Sequence, residues 1–126
     1  MRRLLLDTNV ALWLLLGDRG RVSERAVEAL EDERNEIALS AASVWEIAIK
    51  RSLGKLTIAD GWAAALRRLD FDPMPVTAIH AHAVEHLPWH HRDPFDRLLV
   101  AQAIVERLVL VSADARMGAY GVEVLW

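Results

Sequence analysis

The chain has 126 residues, 53% of them hydrophobic and 26% charged, which suits one compact domain with a real core and excludes a disordered segment. Fifteen Lys and Arg against 18 Asp and Glu leave a formal net charge of -3, so no overall cationic field draws nucleic acid; local groups or a metal would have to hold such a partner. Without cysteine there is neither a disulfide framework nor a thiolate zinc site, as a reducing cytoplasm permits.

The first element, Arg3 to Leu6, reads as a short apolar strand ending at Asp7, and Thr8 to Leu16 as a helix closed by Gly17. Together, "MRRLLLDTNVALWLLLGD" imitates a signal peptide, but Asp7 and Asn9 interrupt its apolar core and no small-residue cleavage site follows. No apolar run approaches the roughly 20 residues needed to cross a bilayer. The expectation is a cytoplasmic protein with no membrane partner. Ser23 caps a second helix, "ERAVEALEDE". Glu36 to Leu39 forms a second strand, and a helix runs from about Ala42 to Leu53 before Gly54. A fourth helix covers Gly61 to Leu69, "FDPMPV" carries a turn and a strand, and Ala78 to His86 is helical until Pro88. Asp93 and Pro94 open the long helix "PFDRLLVAQAIVERL", with proline at the favoured first position. Two β-branched runs, "LVLVS" and "VEVLW", end the chain around a glycine-bearing turn. Strands alternating with helices over short connections predict an α/β fold with a short central parallel sheet flanked by helices, in an α/β/α arrangement.

Ligands of such sheets gather beyond the carboxyl ends of the strands, where the sequence places acids. Asp7 follows the first strand, where it can cap the next helix together with Thr8 and Asn9. Asp114 repeats the pattern after "LVLVSA", where the plain alternative is a turn aspartate. Glu46 stands among Val44, Trp45, Ile47, Ala48 and Ile49; Ser43 and Glu46 match a capping box, yet a carboxylate in an apolar helix is costly unless paired. Asp93 reads as the cap of the long helix. Asp96, with Leu99, Val100 and Ala103 at helical spacing, points along an apolar face into the protein. Several acids in one cleft raise one another's pKa unless cations intervene, and hard divalent ions prefer such oxygen ligands. An ion so held can activate water against a phosphodiester.

These residues resemble the PIN-domain family, and within it the VapC-type toxin ribonucleases of type II toxin-antitoxin systems. The resemblance runs through "LLLDTNVALWLL", "SAASVWEIAIKRSLGKL", "LPWHHRDPFDRLLVAQA", "LVLVSAD" and "YGVEVLW" in that order. It implies one PIN domain over residues 1–126 and a Mg2+- or Mn2+-dependent endoribonuclease cutting structured RNA such as tRNA or rRNA. It also implies a homodimer silenced by a cognate VapB-type antitoxin over the site. By position, it implies that Asp7, Glu46, Asp96 and Asp114 are the catalytic, metal-binding acids, with Thr8, Asp93 and Ser112 as polar neighbours. Lys50, Arg51, Arg92 and Arg97 are candidate phosphate contacts, against the plainer reading of surface charges and helix-end partners. Trp89, Trp13 or Trp62 can stack a base or pack in a core. The apolar first helix, "NVALWLLLG", is a candidate dimer face.

Two rivals remain. One is a non-catalytic binding module whose acids form a socket for a basic partner segment, such as an inserted arginine. The other is a zinc hydrolase built on His82 and His86, all five histidines falling between residues 80 and 91. Against it, Pro88 breaks the helix and no acid stands where HExxH places one. The histidines read better as surface groups ordering the loop before Asp93.

Overall fold

The computed structural model describes residues 1–126. The chain runs β1 (Arg3–Leu6), α1 (Thr8–Leu15), α2 (Glu24–Glu31), β2 (Glu36–Ser40), α3 (Ala41–Ser52), α4 (Trp62–Arg68), β3 (Asp72–Met74), α5 (Ala78–Ala83), α6 (Pro94–Glu106), β4 (Val109–Val111) and β5 (Val124–Leu125). Short 3-10 turns lie at Arg19–Arg21, Val84–His86 and Ala115–Tyr120. The sheet order is β3-β2-β1-β4-β5 and every pairing is parallel, giving the expected helix-flanked sheet.

Parallel strands are covered on both faces, so their sequences lose the in-out alternation of a half-exposed strand. In β1, Leu4, Leu5 and Leu6 are all fully buried. Leu5 packs with Leu99, Leu110 and Met117 on one side of the sheet, and Leu4 and Leu6 with Val10, Ala26 and Val111 on the other. From β1 the chain winds outward to β2 and β3, then crosses through α6 to β4 and β5. The winding therefore reverses between β1 and β4, and the carboxyl ends of those two strands open the crevice where parallel sheets bind ligands.

Helix ends follow local chemistry. Ser23 Oγ accepts the Ala26 N–H, and Gly17 and Gly54 take φ of +71° and +73° after α1 and α3, a left-handed conformation that glycine adopts without a Cβ clash. Asp93 Oδ1 accepts the N–H groups of Phe95 and Asp96 at 2.8 and 3.2 Å, capping α6 with Pro94 in its first turn. The expected box of Ser43 and Glu46 does not form: Ser40, at the strand end, caps α3 through the Ala42 N–H. A capping box does form at Thr77 and His80, and His80 is buried rather than on the surface. The helix expected to reach His86 is α-helical only to Ala83. It tightens into a 3-10 turn because Leu87, preceding Pro88, must be extended. The runs "LVLVS" and "VEVLW" are joined by a six-residue 3-10 helix as well as Gly121, since no tight turn can join parallel strands. No helix is long and apolar enough to cross a membrane.

Leu5 sits at the centre of the middle strand with no exposed surface. Leu5→Ala should lower unfolding stability by about 2–5 kcal/mol, measured by urea denaturation; a loss below about 1 kcal/mol would show that the sheet does not bury this face.

Candidate active site

Asp7 is fixed at the crevice by its own backbone, whose N–H donates to the Val111 carbonyl at 2.9 Å. Its side chain is buried at the N-cap of α1, where the backbone N–H groups of Thr8 and Asn9 ease its charge without closing a full cap hydrogen bond. Ser112 Oγ donates to Asp7 Oδ2 at 2.6 Å and accepts the Asp114 N–H at 3.0 Å, joining the two strand ends through one hydroxyl. Burial pushes the Asp7 carboxyl above its ordinary range, the Ser112 hydroxyl opposes that, and the charge of Glu46 adds to it. Thr8 acts one step away: its hydroxyl donates to Ser43 Oγ at 2.9 Å, pinning α1 to α3 in the interior.

Glu46 is buried on α3, two helical turns beyond the cap at Ser40. Its Oε2 accepts from Lys50 Nζ at 2.5 Å, one turn further on, whereas its Oε1 is buried with no partner. Lys50 is half-buried, and its ammonium is raised first by that hydrogen bond and further by the charges of Glu46, Asp93 and Asp96, against some desolvation.

Asp96 reports the convergence most directly. Its carboxyl is pushed up to about 7, first by burial and then by the charges of Asp7, Asp93, Glu46 and Asp114. Asp114 goes the other way, to about 2, because Arg116 holds it with Nε on Oδ1 at 3.0 Å and Nη2 on Oδ2 at 2.8 Å. The Arg116 N–H also donates to Oδ1, so Asp114 is the most fully engaged of the four acids. The turn aspartate read from the sequence is thus real, and it faces the other carboxylates as well.

One residue of the cluster was missed. His91 is buried, and its Nε2 lies 3.0 Å from Asp96 Oδ2 and 3.1 Å from Asp114 Oδ2. It is not a surface histidine, although it does order the loop before Asp93, as expected of that stretch. Five histidines in twelve residues masked it, but Arg92 and Asp93 on one side and four histidines on the other left no periodicity to separate it.

The expected phosphate contacts divide. Arg97 is a correction: it is buried and donates to the carbonyls of Val84, Leu87 and Pro88, with its guanidinium 3.8 Å from the Trp89 ring centroid. Burial, with three of its five N–H donors on loop carbonyls, keeps it from presenting a free surface charge to phosphate. Arg51 is similarly taken up, by the Ile58 carbonyl and the Asp60 carboxylate. Arg92 is exposed, and Lys50 stands beside the acids. Trp89 is exposed over Arg97, while Trp13 packs against Trp126 at 5.9 Å. His82, Glu85 and His86 do cluster, but all three are on the surface.

The donor chemistry suits a hard divalent cation, with Asp96 and Asp114 already within 4.8 Å of each other and of His91. It consists of carboxylate oxygens, one of them buried without any partner, and one carboxyl lifted first by burial and then by the charges of its neighbours.

Residues 4–123 match the PIN domain family model, and the chain belongs to that family. PIN domains are nucleases and generally use a divalent metal. Among solved structures, the chain is similar to VapBC2 from Rickettsia felis bound to a DNA fragment from its promoter, with 16% identity, a TM-score of 0.74, and 97% of this chain and 96% of that one covered. DNA-bound VapBC from Salmonella typhimurium gives 15% identity, a TM-score of 0.72 and coverages of 98% and 97%. FitAcB from Neisseria gonorrhoeae gives 23% identity, a TM-score of 0.62 and coverages of 96% and 95%. At these identities the likeness is one of fold. No curated protein sequence matches the chain significantly.

Asp96 keeps a proton up to about pH 7 when folded and only to about 3.8 when unfolded, so between these values the folded state holds more protons. Stability of the metal-free protein should therefore fall as pH rises from about 4 to about 7 and level off above. Asp114 acts with the opposite sign, but only below about pH 4. Asp96→Asn should flatten the fall and leave the protein more stable than the parent at about pH 8, read by urea denaturation in EDTA. An unchanged slope would show that Asp96 is not crowded by other acids.

Proposed function

We propose that the chain is a VapC-type toxin of a type II toxin-antitoxin system, acting as a metal-dependent endoribonuclease on structured RNA such as tRNA or rRNA. The observation that carries this reading is the meeting of Asp7, Glu46, Asp96 and Asp114 at the winding reversal, with Glu46 Oε1 buried and unpartnered. In this reading residues 1–126 are one PIN domain.

Asp7, Glu46 and Asp96 would hold Mg2+ or Mn2+, joined by Asp114 on release of the exposed Arg116; the ion supplies an activated water and neutralises charge building on the phosphodiester. Ser112 keeps Asp7 turned into the crevice, and the Thr8–Ser43 bond keeps α1 and α3 at fixed separation so that Asp7 and Glu46 stay in register. Asp93 supports the site by fixing the first turn of α6, which carries Asp96. Lys50, paired to Glu46 at the rim, and exposed Arg92 offer positive charge to the incoming phosphate backbone. Trp89, backed by Arg97, presents a face on which an unstacked base of a single-stranded or looped RNA can lie.

A cytoplasmic homodimer silenced by a VapB-type antitoxin completes the reading. The similar structures named above as VapBC complexes support such a partner. So does an apolar groove of about 630 Å3 whose lining includes Val44, Trp45, Ala48, Leu66 and Phe71, on the face of α3 turned away from Glu46.

The test is cleavage of total bacterial RNA by antitoxin-free protein with Mg2+ or Mn2+, with EDTA, and with folded Asp7→Asn. Discrete fragments should need the metal, and Asp7→Asn should cut about 100-fold more slowly or worse, as expected when several kcal/mol of charge stabilisation are lost. Cleavage that survives EDTA or Asp7→Asn contradicts the proposal. Intact RNA in every lane favours the acids as a socket for a basic partner segment.

A further inference from the structure

We propose that His91 is a positioning residue of the acid cluster, its Nε2–H holding the Asp96 and Asp114 carboxylates in the orientation that receives a divalent cation. The inference rests on the reading of those acids as metal-holding groups and adds to it the residue that organises them.

Histidine offers two chemically different nitrogens, and here their roles are fixed by a neighbour. The Asp93 backbone N–H lies 3.1 Å from His91 Nδ1. A backbone N–H can only donate, so Nδ1 presents a lone pair and the proton of the neutral ring sits on Nε2. That Nε2–H is hydrogen-bonded to Asp114 Oδ2 at 3.1 Å, and Asp96 Oδ2 lies 3.0 Å from the same nitrogen, so one ring holds two carboxylates together. With its proton there, Nε2 has no lone pair for a metal. His91 therefore works through the acids rather than beside them as a nitrogen ligand, although its nitrogen and their oxygens all lie within 4.8 Å.

The ring can do this because its backbone is clamped. The His91 N–H donates to the Tyr120 hydroxyl at 2.8 Å, and that hydroxyl donates back to the His91 carbonyl at 3.4 Å. Upstream, Arg97 ties down the carbonyls of Val84, Leu87 and Pro88. Between Leu87 and Asp93 the loop is exposed at Pro88, Trp89, His90 and Arg92, and turns inward only at His91. Asp93 serves both partners at once: its Oδ1 fixes the backbone of Asp96 and its N–H fixes the tautomer of His91. Hydrogen bonds that hold metal-binding carboxylates in place are commonly worth about 10–100-fold in metal affinity.

The experiment is Mn2+ and Mg2+ titration calorimetry on the full chain, comparing the parent with His91→Ala, His91→Gln and Asp96→Asn, alongside 15N NMR of the His91 ring in the metal-free parent. His91→Ala should weaken both ions together by about 10–100-fold, and His91→Gln, whose amide N–H reaches close to the Nε2 position, should recover most of the loss. The ring should show a protonated Nε2 and an unprotonated Nδ1, which tests the arrangement even if the alanine variant fails to fold. Parent-like affinity in His91→Ala overturns the inference. So does a loss confined to Mn2+, which would make His91 a ligand in its own right, or a proton found on Nδ1. A parent that binds neither ion overturns the proposed function and this inference with it. Asp96→Asn with parent-like affinity while His91→Ala is weakened overturns the reading of Asp96 alone.

Discussion

Carboxylates taken out of water beside one another repel, and the rim of this sheet is organised around that repulsion. Asp7 and Asp96 lie where burial and neighbouring charge, that of Glu46 included, both oppose ionisation, and Asp96 is pushed up furthest. Each acid is held by a specific donor: Ser112 on Asp7, Lys50 on Glu46, Arg116 on Asp114, and His91 across Asp96 and Asp114. Four donors of different kinds share work that one divalent cation would do. The orphaned Glu46 Oε1 marks the place where they fall short.

The fold explains why the acids are where they are. A parallel sheet whose winding reverses between its first and fourth strands leaves two strand ends without a crossover between them. Asp7 and Asp114 occupy those ends, and the helices that begin on the same side, α3 and α6, bring Glu46 and Asp96 within their first two turns. The rigid parts, fully buried Leu4, Leu5 and Leu6 and the capped start of α6, sit directly beneath the charged ones. Such a rim trades stability for pre-organisation, as functional sites commonly do.

The acids were legible in the sequence because their signals are local. Asp7 and Asp114 end apolar strands, and Asp96 shares a helical face with Leu99, Val100 and Ala103, all buried. His91 was not legible because its partners lie in the first turn of α6 and 23 residues away, joined only by the folding of an irregular loop. Arg97 carried a signal that was overlooked: it shares a face with Val100 and Ala101, so periodicity turned it inward, where loop carbonyls awaited it. Ser40 and Ser43 show the limit of motif spacing. Either serine can begin a helix, and the one nearer the strand end does, which frees Ser43 to receive the Thr8 hydroxyl.

The central claim is that these acids form one cation site, and its most direct measurement is anomalous diffraction from crystals of the protein holding Mn2+. The account predicts a peak in the crevice between Asp7, Glu46 and Asp96, within about 2–2.5 Å of carboxylate oxygens from at least two of them. A peak only at the exposed His82, Glu85 and His86 cluster, or none at all in crystals with ordered acids, would contradict it.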